Sequence, residues 1–154
     1  MDLLANELQE ANKMAITQIS LFLMNQPGQL VDAVGALSEG GANLRAMSIA
    51  ESNDFGILRL IVSDSDQACA LLKDKFLISK TAVIAAKMDD RSGALYPILK
   101  VLNEANINIE YMYAFTGSGP DQAYVVFRVS DAKTAEEMLR ANGIETLSDE
   151  SLKL

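Results

Sequence analysis

The chain has 154 residues, 49% of them hydrophobic and 22% charged, with a formal net charge of −8. That composition is globular rather than disordered, and the length suits one ordinary domain or two small ones. With 13 basic against 21 acidic residues, the chain lacks the cations that nucleic-acid binding needs to displace counterions from phosphates.

The sequence contains no histidine, which removes the commonest general base and the commonest metal ligand. The single cysteine, Cys69, cannot form an internal disulfide, so a cytoplasmic location is the default expectation. Neither a metal nor a cofactor is expected, and only carboxylate chemistry stays open for catalysis.

In chain order, "MDLLANELQEANKM" is an acidic start without a basic n-region or long apolar h-region, and reads as an N-terminal extension over residues 1–14. No apolar run approaches the roughly 20 residues of a membrane span. "ITQISLFLM" is a strand-like run that feeds Asn25-Gln26-Pro27-Gly28. Leu30, Val34 and Leu37 then recur at helical spacing until Gly40-Gly41. "NLRAMSIAE" and "FGILRLIVS" read as a hairpin. Asp64 is an N-cap for a helix containing Ala68, Leu71 and Leu72, and a short strand near Ile78 follows.

The order then repeats. "TAVIAAKM" is a strand, and Leu95, Leu99 and Leu102 have helical spacing up to "EANIN". "NIEYMYAF" and "AYVVFRVS" form a second hairpin, Asp131 caps a helix with Ala135, Met138 and Leu139, and a strand near Thr146 closes the unit. Gly93 repeats Gly28 at a spacing of 65, as do Leu95 on Leu30, Asn108 on Asn43 and Met112 on Met47. The spacing becomes 67 for Asp131 on Asp64 and Leu139 on Leu72, so the second hairpin turn gains two residues. The chain is a duplication, divided as extension 1–14 and units 15–80 and 81–154. Each unit has the order β-α-β-β-α-β, the ferredoxin-like plan of class α+β. Their strands are expected in antiparallel sheet with the helices on one face.

The first strand, Asn25-x-Pro27-Gly28-x-Leu30, and the helix ending in Glu39-x-Gly41-x-Asn43-Leu44 together resemble an ACT domain. The second unit matches with Asp89, Gly93, Leu95, Glu104, Asn108 and Ile109, but has Ser92 where the proline would be. The resemblance covers residues 15–154 and implies two tandem ACT units. It further implies a non-catalytic regulatory module that binds an amino acid or similar effector between ACT units. No catalytic domain is seen in this sequence, so a regulated metabolic enzyme would be a separate chain. A homodimer is also expected, with neither nucleic-acid nor membrane binding.

Pro27 suits a first helical position, and Gly28 removes a side chain where backbone would meet a ligand. Free N–H groups at the helix start then suit a carboxylate, while Asn25 or Asp89 offers an acceptor for an ammonium. The candidate ligand residues are therefore Asn25, Gln26, Pro27, Gly28, Gln29 and Leu30 in the first turn, and Asp89, Arg91, Ser92, Gly93, Ala94 and Leu95 in the second. Asn43, Leu44, Asn108 and Ile109, at the start of each hairpin, complete the set. The bland alternative is that Asn25 and Asp89 only cap turns, that Ser92 caps its helix, and that Asn43 and Asn108 are left-handed turn residues. Asp89-Asp90 reads as a solvated turn, because neighbours on a strand end point apart. Cys69 reads as buried and inert. Tyr111, Tyr113 and Phe115 share one strand face while Met112 and Ala114 share the other, so both faces are apolar. Three functions remain open on these grounds: an amino-acid sensor, a ligand-free assembly module, and a small carboxylate enzyme.

Overall fold

A computed structural model of the chain describes residues 15–52, 54–117 and 119–152. The expected extension over residues 1–14 lies outside them. The elements run β1 (Ile16–Met24), α1 (Gln29–Glu39), β2 (Leu44–Glu51), β3 (Phe55–Val62), α2 (Ser65–Leu72) and β4 (Leu77–Asp89). They continue with α3 (Leu95–Glu104), β5 (Ile109–Thr116), β6 (Gln122–Val129), α4 (Ala132–Ala141) and a 3-10 turn at Asp149–Leu152. Contacts gather into two compact units, with Thr17–Thr81 in one and Ala82–Ser151 in the other.

In the first unit, β3 lies between β1 and β2 and is antiparallel to both. Side chains alternate across a strand, so Ile19, Leu21 and Leu23 share a face with Leu58 and Leu60. That face packs on Ala33 and Leu37 of α1 and on Ala68 and Leu72 of α2. In the second unit β6 takes the central place between β4 and β5. Ile84, Ala86, Val125 and Phe127 meet Ile98 and Leu102 of α3 and Ala135 and Leu139 of α4. Each unit is thus an antiparallel sheet with both helices on one face, the ferredoxin-like plan. The registers reproduce the repeat: Leu21 faces Leu58 as Ala86 faces Val125.

The closing strands differ from expectation. Ile78 is not in a strand of its own; it lies in β4, which continues through the strand expected from Thr81. Near Thr146 there is only a bridge to Ala86, flanked by Lys87 N–H to Glu145 O at 2.8 Å and Leu147 N–H to Ala85 O at 2.9 Å. Cys69 is half-buried rather than fully buried, and burial pushes its thiol pKa up, so it stays protonated at neutral pH.

The helix caps follow the sequence. Asp64 accepts from Gln67 N–H and Asp131 from Thr134 N–H, each at 3.1 Å. Thr134 Oγ1 also donates to Asp131 Oδ2 at 2.7 Å. The Thr134 hydroxyl, then its amide, holds the Asp131 carboxyl below the usual range, because both bonds favour the charged form. Asp131→Ala should cost about 1 kcal/mol in urea unfolding. A depressed pKa gives stability that is complete above the ordinary carboxylate range and lost as pH falls through the lowered value. The difference between wild type and Asp131→Ala should therefore shrink in acid; a constant difference would contradict an ionised cap.

Candidate functional site

The first strand-to-helix turn opens with Asn25 N–H donating to Asp54 O at 3.2 Å and Gln26 N–H to Met24 O at 2.8 Å. Gly28 is the N-cap of α1 with φ 94, so Pro27 precedes the cap instead of taking the first helical position. The first regular helical bond runs from Asp32 N–H to Gly28 O at 3.0 Å. The N–H groups between them lie at the open helix start. Asn25, Gln26, Pro27, Gly28 and Leu30 are exposed, and Gln29 is half-buried.

The second turn matches it. Gly93 has φ 83. A Cβ at Gly28 or Gly93 would meet no atom within 4 Å. Both glycines therefore supply a left-handed backbone beside open space, and a β-branched replacement would be strained whether or not a ligand binds. Asp90 N–H donates to Asp121 O and Arg91 N–H to Asp89 O, both at 2.9 Å. Arg91 Nε pairs with Asp89 Oδ2 at 3.2 Å, with both side chains exposed. Ser92 does not cap α3: the cap position is Ala94, two residues later, and it makes no side-chain hydrogen bond. Leu95 packs on the core.

Asn43, Leu44, Asn108 and Ile109 lie elsewhere. Leu44 faces Val62, whereas Met24 faces Phe55, so Asn43 and Leu44 sit at the far end of their own sheet from Asn25. Asn108 and Ile109 are at the far end from Asp89 in the same way, since Ile109 faces Val129 and Asp89 faces Gln122. Asn43 is not left-handed; Gly41 and Asn106 take that conformation, with φ 74 and 57. Asn43 Nδ2 donates to Ser63 Oγ and Ser63 N–H returns to Asn43 O. Asn108 and Ser130 form the matching clasp through their backbones and the serine hydroxyl. Leu44 and Ile109 contribute to the cores.

A groove of about 340 Å³ opens in the second unit. One wall is the end of β4, at Lys87, Met88 and Asp89. The second is the start of α3, at Ala94, Pro97 and Ile98. The third is Gly143, Ile144 and Glu145, the turn after α4. Two candidates from the sequence, Asp89 and Ala94, line it, and Arg91 is ion-paired to the first of them. The third wall went unread in the sequence, as did Lys87, whose Nζ lies 3.5 Å from Glu145 Oε2. Gly143, left-handed at φ 76 directly after a helix, was the available signal.

A buried carboxylate anchors that wall. Glu136 accepts from Thr146 Oγ1 at 2.9 Å and pairs with Arg140 Nη2 at 2.8 Å. Arg140 Nε also donates to Thr146 Oγ1 at 3.1 Å. Burial raises the Glu136 pKa, while Thr146 and Arg140 act to lower it. Among the described residues no three acidic, cysteine or histidine side chains gather as a metal site. No helix among them is long and apolar enough to cross a membrane.

Two ferredoxin-like units with matching glycine turns define a paired-module class of protein. The chain belongs to the family of ACT domain pairs, which it matches over residues 14–154. It is similar to protein BT0572 from Bacteroides thetaiotaomicron, at 38% identity and TM-score 0.85, covering 92% of this chain and 98% of that one. The regulatory subunit of aspartate kinase from Thermus thermophilus, in a ligand-free form, shares the fold at 18% identity and TM-score 0.62, covering 86% and 93%. The corresponding subunit from Thermus flavus does so at 16% identity and TM-score 0.59, covering 83% and 90%. No curated protein matches the chain.

Proposed function

We propose that this protein is a non-catalytic regulatory chain that binds an amino acid or similar small effector and acts on a separate metabolic enzyme. The observation that carries the reading is the pair of turns at Gly28 and Gly93. Each is left-handed, open to solvent and placed at a helix start, where backbone N–H groups can hold a carboxylate. Membership of the ACT domain pair family supports a regulatory role. Regulatory subunits of aspartate kinase have the same fold, in keeping with a chain that regulates rather than catalyses. Asn25, with Gln26 to Leu30, and Asp89, with Arg91 to Leu95, are the proposed contacts. Asn43, Leu44, Asn108 and Ile109 would join them only from a neighbouring ACT unit. A cytoplasmic homodimer is part of the same reading.

Thermal unfolding with each common amino acid tests it. An effector at 100 times its Kd should add about 2.7 kcal/mol of apparent stability. Light scattering on the same samples should give the mass of a dimer. If no amino acid shifts the transition while the dimer persists, the chain is an assembly module that needs no ligand.

A further inference from the structure

We propose that residues 1–14 of this chain cover the helix-free face of the second unit's sheet, as an amphipathic helix that lays Leu4, Leu8 and Ala11 on Val83, Ala85 and Val126.

Side chains alternate along a strand, so Ile84, Ala86, Val125 and Phe127 point at α3 and α4, while Val83, Ala85 and Val126 point the other way. Ala85 lies opposite Val126, and Val126 lies opposite Tyr113. Phe115 and Tyr124, stacked on each other, extend the same face. An antiparallel sheet with helices on one side commonly turns its other side to water. Here Val83 is 1% exposed, and Ala85 and Val126 are 0% exposed. Both helices of the unit pack on the opposite face and cannot supply that burial. It exists within a single chain, so a second copy does not supply it either.

The extension starts from the right place. Ala15 and Ile16, the first described residues, are 5% and 0% exposed. Ile16 groups with Ala82–Ser151, and only from Thr17 does the chain belong to the other unit. Residues 1–13 lie ahead of the stretch that matches ACT domain pairs.

The extension also has the right pattern. Leu4, Leu8 and Ala11 recur at helical spacing, and Met1 and Ala15 fall on the same stripe. Asp2, Asn6, Glu10 and Lys13 fall on the opposite side, which suits water. Fourteen helical residues are about 21 Å long. That is enough to cross three strands set about 4.8 Å apart. At the repeat spacing of 65, the first unit has Gln18 and Ser20 where the second has Val83 and Ala85. An apolar stripe is therefore matched by the second face and not by the first. A partner of this chain then has to dock elsewhere than on the face that carries Tyr113 and Tyr124.

Methyl-labelled NMR on the full chain tests the proposal. Nuclear Overhauser contacts are expected from the Leu4 and Leu8 methyls to those of Val83 and Val126. In an equal mixture of chains labelled only at leucine with chains labelled only at valine, those contacts should vanish, because they arise within one chain. Leu8→Asp should raise the binding of an apolar dye severalfold with the sheet signal in circular dichroism retained, because it bares an apolar face. Glu10→Lys, on the wet side, should leave dye binding unchanged. The wild-type contacts decide the matter even where Leu8→Asp fails to fold. Contacts to Val126 from Leu152 and none from Leu4 or Leu8 would overturn the proposal, giving the cover to the 3-10 turn. Contacts that persist in the mixed sample would overturn it by giving the cover to a second copy. Unchanged dye binding in folded Leu8→Asp would overturn it as well.

Discussion

Truncating Phe127 to alanine is expected to destabilise the second unit by about 3–5 kcal/mol, the largest effect of any single change considered. Phe127 is fully buried on β6, the central strand, with Ile84 opposite on β4 and Met112 opposite on β5. Its ring meets the cluster built from Ile98, Leu102, Ala135 and Leu139. Neighbours on four elements cannot collapse together into the vacated volume, so a cavity term adds to the lost burial. Met112 shares that face but lies on β5 and is 38% exposed. Met112→Ala should therefore cost only a fraction of the Phe127 effect. Urea unfolding monitored by circular dichroism compares them; equal shifts in midpoint for the two variants would mean that the core is not centred on β6.

Much of the fold was legible because it is written twice. A strand such as "TAVIAAKM" is ambiguous alone, but its match to "ITQISLFLM" and the helix spacing that follows fix its type. The aspartate caps were readable because a carboxylate before a helix has few other uses. Element ends were less readable. Pro27 fits a first helical turn, yet the left-handed Gly28 has to come between it and the helix. Ser92 resembles a cap, yet Gly93 turns the chain and moves the helix start beyond its reach. Asn43 and Asn108 look like left-handed residues by type. Gly41 and Asn106 had already turned the chain, leaving Asn43 and Asn108 free to clasp Ser63 and Ser130.

The candidate site was half legible. Asp89 and Ala94, which line the groove, are picked out in the sequence because glycine marks the turn they flank. The wall from Gly143 to Glu145 is some 50 residues further along the chain, and nothing local says that it returns beside β4. Exposure is also invisible in composition: Tyr111, Tyr113 and Phe115 are half-buried, with Phe115 stacked on Tyr124 at 5.2 Å. Glu136 is the sharpest case. The glutamate within "KTAEEMLRA" is buried on α4 and accepts from Thr146, which bridges to Ala86 on β4.

Glu136 should for that reason carry a measurable pH dependence. Its side chain is 3% exposed, and its ionised form is held by Arg140 and Thr146. Burial is the largest influence on its pKa and raises it. A raised acid pKa means that the folded state binds the proton more tightly than the unfolded chain. This contribution is therefore fully present below the ordinary glutamate value of about 4.3, falls as pH rises through the raised value, and stays low above it. Glu136→Gln keeps an oxygen that can accept from Thr146 and cannot ionise, so its stability should lack that fall. Glu136→Ala leaves Thr146 and Arg140 without their acceptor and should cost about 1–3 kcal/mol. The lower part of that range is expected, because Arg140 is 43% exposed and reaches water. Urea unfolding from pH 4 to 7 reads all three proteins, with the Asp131 cap common to each. Parallel curves for wild type and Glu136→Gln would show that Glu136 does not titrate in this window, and a wild type that gains stability relative to Glu136→Gln as pH rises would reverse the sign.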